Sequence, residues 1–456
     1  MERIPYEEVT FHPHSFGDSD GRLFSWRGEL YRGIKSESAD FFKRLFDHGV
    51  IERLTAQKLL IESETTGLTL EGYAMVIRHR CVPFVSYPQE WCAAMFKDAA
   101  LAYLQLAERL RSQGLRLKDT HPWNLLFDGC NPVYVDFTSI SQITDSEQYI
   151  SADKFRRYYV YPLLLMAHGQ ERITRHLLPD YEGISSSELS LLMGQANPTL
   201  RAVVKHGIKR AVPETYREGF KRLLGSLGLL YSRKPGQRSQ IDCLSTLREE
   251  LQSIRLPAAD DDPSQGDSLS SCRDGNATPL ERLEKIIADC QPGSILTIDA
   301  RRRVSSGLAT LAQGTVVAFG KNSGPVTGLY CDGRDKNLPL LPLVMDFIDP
   351  TPSRGLQSHL CIAAAERLKC DMVLAFGLVD RMMEKSLRFD QIVDGLAQFA
   401  KRQLVVDFLP PKGDPKLEAC SGYQNENFIN ALGKKFRKIS RCSGHAEGAA
   451  LLLCEN

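Results

Sequence analysis

Leu117–Thr138 reads LKDTHPWNLLFDGCNPVYVDFT. Asp119 and Asn124 stand in a D-x4-N spacing, and Asp136-Phe137-Thr138 follows the strand-forming run Val133–Val135. Between them, Asp128-Gly129 is a dipeptide that suits a tight hairpin. Phosphoryl transfer asks little covalent help of a protein. It needs a carboxylate to orient or accept the acceptor proton, and oxygen ligands for magnesium around the phosphates. Two carboxylates and an amide on adjoining short segments supply such a set.

Upstream the chain is mixed. Leu23–Ile34 alternates around Arg27-Gly28, which predicts a hairpin. Ala39–Asp47 and Ile51–Leu60 read as short helices, and Tyr73–Arg80 as a strand. Trp91–Gln113 carries apolar residues at helical spacing and stops at Gly114, so a long helix leads directly into the opening segment. Downstream, residues 152–232 read as mostly helical, with Tyr158–Met166 apolar enough to be buried.

The composition then shifts. Leu256–Ala277 is rich in Pro, Ser, Asp and Gly and lacks aromatics, which marks an exposed linker. It ends at Thr278-Pro279-Leu280-Glu281, a capping box with proline at the first helical position. From Ser294 onward, strand-length apolar runs alternate with helical stretches. The runs are Ser294–Ile298, Thr315–Phe319, Leu341–Met345, Met372–Phe376 and Leu404–Phe408. Such alternation implies a parallel sheet with helices on both faces. Phe436–Cys442 and Ala449–Cys454 read as a hairpin closing that sheet. The domains expected are therefore residues 1–255, a linker over 256–277, and residues 278–456.

Bulk properties agree with an ordinary globular α/β protein. The chain has 456 residues, 43% hydrophobic and 25% charged. A formal net charge of +1 argues against a nucleic-acid partner, because such domains carry a strong basic excess. Lys434-Lys435-Phe436-Arg437-Lys438 reads as a solvated helix face. The 12 cysteines are scattered, with no CxxC pair and no zinc-ligand spacing, which points to a reducing cytoplasm. MERIPYEEVTFHPHS has no signal-peptide pattern, and no stretch of about 18 apolar residues predicts a membrane span.

The opening segment resembles small-molecule kinases of the aminoglycoside- and choline-kinase type, where D-x-H-P-x-N is common. That resemblance implies a kinase-like α+β domain with Asp119 as catalytic carboxylate and Asn124 and Asp136 holding magnesium for ATP. Two parts of the pattern differ. Gly17, Gly21, Gly28 and Gly33 are isolated and form no Gly-rich phosphate loop, and Thr138 replaces the glycine of D-F-G. Lys35 is the candidate for the lysine of the third strand. His121, set before Pro122, reads as a brace for the loop.

The C-terminal half resembles a class I S-adenosylmethionine-dependent methyltransferase, with a Rossmann-like, doubly wound sheet. The resemblance implies an acid after the first strand, here Asp299, followed by a glycine-rich turn. Here that turn spans Ala300–Gly307, contains Arg301-Arg302-Arg303, and has Gly307 as its glycine. The second strand runs into Phe319-Gly320-Lys321 and lacks the expected ribose acid. Asp346, after the third strand, is the adenine-side candidate. The arginines would crowd a close backbone approach, which glycine alone permits freely. They read as a solvated turn.

Over its whole length the chain is similar to a bacterial family of methyltransferases with a kinase-like N-terminal region. Its markers are FSWRGELYR at Phe24–Arg32, VPFVSYPQEW at Val82–Trp91, KDTHPWN at Lys118–Asn124 and LVMDFIDPTP at Leu343–Pro352. This resemblance implies S-adenosylmethionine as cofactor and a small-molecule or glycolipid substrate. The alternatives are an ATP- and magnesium-dependent phosphotransferase, or two enzyme-like folds kept as a binding scaffold.

Overall fold

The computed structural model describes residues 2–15, 17–143, 151–196, 240–259, 279–298, 302–312, 314–409, 423–444 and 450–456. The chain divides into two compact units. One comprises Met1–Val82, Tyr87–Leu126 and Pro132–Pro257; the other comprises Pro83–Ser86, Phe127–Asn131 and Ala258–Asn456. Most of the expected linker lies outside the described residues, as do residues 197–232 of the stretch expected to be helical.

In the first unit, strands β1 (Thr10–Phe11), β2 (Gly21–Trp26) and β3 (Glu29–Ile34) form an antiparallel meander. Arg27 and Gly28 both have positive φ, 50° and 80°, which matches the twist of a two-residue hairpin. Helices α1 (Ser36–Asp47) and α2 (Val50–Ala56) follow, then β4 (Ser63–Thr65) and β5 (Met75–His79). The sheet order is β1-β2-β3-β5-β4.

Helix α3 (Ala93–Arg111) buries Phe96, Ala99, Ala100, Tyr103, Leu104, Ala107 and Leu110 at helical spacing. Gly114, with φ +72°, ends the turn after it. Strand β6 (Leu115–Leu117) leads into the hairpin β7 (Leu125–Asp128) and β8 (Asn131–Tyr134), with Gly129 at φ +61°, and β9 (Ile140–Gln142) pairs back onto β6. The helical remainder includes α4 (Tyr161–Ala167), α5 (Glu171–Leu177), α6 (Ser186–Ala196) and α7 (Gln240–Ser253). Arg248 of α7 clasps Glu108 of α3 with two hydrogen bonds of 3.1 and 2.7 Å.

The long C-terminal stretch of the second unit has α8 (Pro279–Cys290) as its first described helix. Strands β10 (Ser294–Ile298), β11 (Thr315–Gly320), β12 (Leu340–Val344), β13 (Cys370–Ala375) and β14 (Ala400–Phe408) are parallel, and β15 (Lys438–Gly444) and β16 (Ala450–Glu455) close the sheet as an antiparallel hairpin. The order is β12-β11-β10-β13-β14-β16-β15. Strands β10 and β12 are buried at every position, which is why they read as unbroken apolar runs. Helix α9 (Arg302–Leu311) follows β10, and α10 (Ser323–Asp335) follows β11. Among the described residues no helix is long and apolar enough to cross a membrane.

The turn expected over Ala300–Gly307 is corrected here. The helix already runs from Arg302, because Val304, Leu308 and Ala309 fall on one face and are buried. Gly307 sits inside the helix, and a Cβ there would meet nothing within 4 Å. Gly314, at the foot of β11, is the opposite case: a Cβ would stand 1.8 Å from the Gly293 carbonyl oxygen, a backbone atom that cannot step aside. Gly307→Ala is therefore expected to raise stability by about 1 kcal/mol through helix propensity. Gly314→Ala should lower it and move the urea midpoint the other way. Equal midpoints for the two variants would contradict the placement.

Candidate functional site

The opening segment folds into a hydrogen-bonded cluster. Asn124 Nδ2 lies 3.4 Å from Asp119 Oδ2 and 3.5 Å from Asp136 Oδ2. Asn124 ends the short 3-10 turn Pro122–Asn124, and Asp136 follows β8, so the hairpin folds the second carboxylate back onto the first segment. The backbone N–H of His121 donates to Asp119 Oδ1 at 3.1 Å. Burial raises the Asp136 carboxyl above the ordinary carboxylate range; Arg32 pulls against this, while Asp18 and Asp119 push with it.

His121 braces the turn. Its Nδ1 accepts from the Trp123 N–H at 3.3 Å, and its ring lies 4.8 Å from those of both Tyr158 and Tyr181. Burial lowers its pKa to about 4, against the opposing pull of Asp119. The ring is neutral at pH 7 and suited to positioning.

Four charged residues at this cluster were missed from the sequence. Arg32, on β3, is 5% exposed. One of its terminal nitrogens donates to Asp18 Oδ2 at 2.5 Å and to Thr138 Oγ1 at 2.7 Å. Lys118 pairs with Asp20 and donates to the Thr138 carbonyl at 3.0 Å. A signal existed: Arg32 has the parity of Leu30 and Ile34, so an alternating strand turns a cation inward with apolar neighbours. Lys35 is not on the strand. It caps α1 and lines an open cavity of about 610 Å³ with Tyr6, Glu71 and Tyr73.

In the second unit, Asp346 lies just past the carboxyl end of β12 and Lys321 just past that of β11. Their side chains form an ion pair at 2.8 Å. Asp346 also accepts the Ile348 N–H at 3.1 Å. Burial would raise its pKa, but the Lys321 hydrogen bond leads the opposing effects and holds it below the ordinary value. Asp299 lies outside the described residues. Arg302 forms no solvated turn: its guanidinium grips Asp332 of α10 through two hydrogen bonds of 2.7 and 2.8 Å. Asp407, 2% exposed near the end of β14, accepts the Gly377 N–H at 2.7 Å and helps hold that glycine at φ +57° just beyond β13. Sequence reading passed over it, although an acid inside an apolar strand run is itself a signal.

The strand order and closing antiparallel hairpin make the second unit a class I methyltransferase-like α/β sheet. No protein-family model matches the chain. It is similar to nodulation protein NoeA of Rhizobium meliloti (strain 1021), 23% identical over 450 residues that cover 94% of this chain and 92% of that protein. The chain's overall likeness, rather than any one motif, suggests NoeA, and this comparison agrees with it. Among solved structures it is similar to N-methyltransferase NodS from Bradyrhizobium japonicum WM9, with 14% identity, TM-score 0.29, and coverage of 40% of this chain and 99% of that one. It is also similar to magnesium protoporphyrin IX methyltransferase from Synechocystis PCC 6803 with bound SAM, at 12%, 0.28, 54% and 99%. For the bifunctional kinase-methyltransferase WbdD the values are 12%, 0.31, 46% and 46%.

The buried imidazole yields a pH prediction. Its folded pKa lies below the unfolded value, so acidification protonates the unfolded chain first. The contribution of His121 to stability should fall as pH drops from about 6.5 towards about 4. Proton NMR should place the His121 titration midpoint near 4, whereas a midpoint of 6 or higher would contradict its burial.

Proposed function

We propose that the chain is an S-adenosylmethionine-dependent methyltransferase-like protein acting on a small-molecule or glycolipid signal in nodulation, with methyl transfer assigned to the second unit. The observation that carries this reading is the doubly wound sheet with Asp346 at the carboxyl end of its third strand. In open α/β sheets, ligands bind outside the carboxyl ends of the strands, where the strand order reverses. Here it reverses at β10, between β11 and β13. The similarity to NoeA along nearly the full length supports the nodulation context.

The fit to the cofactor is uneven. A carboxylate at Asp346 suits an adenine amine. On the ribose side Lys321 offers no acceptor for hydroxyls, and its ammonium already holds Asp346. When bound, the cofactor would supply an electrophilic methyl group; this chain's residues would bind and orient it. Asp299 is proposed as the first-strand acid and Gly307, which lies inside α9 with open space where a Cβ would stand, as the glycine on the cofactor side.

Titration calorimetry tests the reading. S-adenosylmethionine should bind the wild type, Asp346→Ala or Asp299→Ala should abolish binding, and Lys321→Ala should tighten it by releasing Asp346. A folded wild type that evolves no binding heat rejects the proposal.

The second reading is a kinase-like phosphotransferase in the first unit, favoured by the convergence of Asp119, Asn124 and Asp136. Asp119 would act as catalytic carboxylate. The Asp136 carboxylate would hold magnesium together with the Asn124 amide oxygen, once the amide turns over from the orientation that points Nδ2 at both carboxylates; magnesium is a hard cation that needs only one or two protein carboxylates beside phosphate oxygens. Kinases carry a lysine on the third strand, and β3 here carries Arg32. A thermal-shift plate with ATP and magnesium should show a gain that Asp136→Ala removes. No response to either nucleotide or methyl donor would favour a binding scaffold.

A further inference from the structure

Four cationic or hydroxyl groups from separate elements of the first unit converge on two carboxylates. Arg32 comes from β3, Lys118 follows β6, Thr138 follows Asp136-Phe137, and Ser38 lies in the first turn of α1. Arg32 and Thr138 hold Asp18: the guanidinium donates to Asp18 Oδ2 at 2.5 Å, and so does the Thr138 hydroxyl, at the same distance. Lys118 and Ser38 hold Asp20, the hydroxyl at 2.5 Å from Oδ1. Asp18 and Asp20 come from one short segment between β1 and β2, and the Asp20 N–H donates to Asp18 Oδ1 at 2.9 Å.

We propose that this convergence is an anion site for a phosphate group, held closed by the chain's own Asp18 and Asp20.

The charges support the substitution. Two carboxylates neutralise one guanidinium and one ammonium. A single phosphate group carries about −1.5 to −2 and offers three acceptor oxygens, so it can replace both acids. Arginine matches phosphate oxygens in a planar fork. Arg32 is only 5% exposed, and its Nε is buried with no partner among the described residues. A buried cation stripped of its counterion is costly, so removing the acids leaves a site that demands another anion. The site also adjoins the proposed phosphotransfer residues: Thr138 Oγ1 lies 3.3 Å from Asp136 Oδ1. The inference rests on the phosphotransferase reading and deepens it by placing the phosphate end of the ligand where Asp18 and Asp20 compete with it for the same donors.

The test compares the full-length wild type with Asp18→Asn/Asp20→Asn. Thermal shift and calorimetry are run with inorganic phosphate alone and with magnesium-ATP. The wild type should show little or no response to inorganic phosphate. The double variant should bind it at least tenfold more tightly, and adding Arg32→Met should abolish the gain. A double variant that keeps its circular dichroism yet ignores phosphate overturns the proposal, as does a gain that survives Arg32→Met. Should the double variant not fold, Asp20→Asn alone must show the gain, since its partner Lys118 is 40% exposed and tolerates the change; no gain there overturns the proposal equally. Phosphate binding by the double variant, with no response of either protein to magnesium-ATP, would keep the anion site and reject the phosphotransferase reading.

Discussion

A guanidinium taken out of water has to be answered where it stands, and in the first unit the answer to Arg32 organises the site. Its charge draws in Asp18 from the segment before β2 and Thr138 from the segment after Asp136. Those contacts tie the small sheet to the D-F-T segment. Breaking one partner of such a pair costs far more than the pair contributes, because the survivor stays buried. The same charge steadies Asp136, whose carboxylate would otherwise face burial, Asp18 and Asp119 together.

The second unit obeys a different constraint. A parallel sheet covered by helices has no wet face, so its centre must be apolar, and polar chemistry collects at the strand ends. That is where Lys321, Asp346, Gly377 and Asp407 lie. Asp407 spends a buried carboxylate on holding the Gly377 turn, a structural task. Asp346 is held by a lysine on the neighbouring strand end. In both units these acidic groups are therefore engaged by cations or amides of the same chain.

Much of the architecture was legible in the residues. The D-x4-N and D-F-x spacings span one hairpin, and the tight Asp128-Gly129 turn brings their ends together by local geometry alone. Strands β10 to β14 were legible because burial on both faces writes itself as an apolar run. The start of α9 was not. Three consecutive arginines suggested a solvated turn, but the apolar face of Val304 and Leu308 and the grip of Arg302 on Asp332 make it helix.

The sequence by itself determined the order of elements, the alternation that makes an α/β sheet, and which carboxylates and amide of the first unit lie near one another, because all three follow from local period and spacing. Tertiary structure alone decided the partners of the charges. Arg32 and Thr138 stand 106 residues apart in the chain, and Lys321 meets Asp346 only because β11 and β12 lie side by side in register. Such pairs depend on how strands align and how deeply each charge is buried, and neither quantity is encoded in any short stretch of residues.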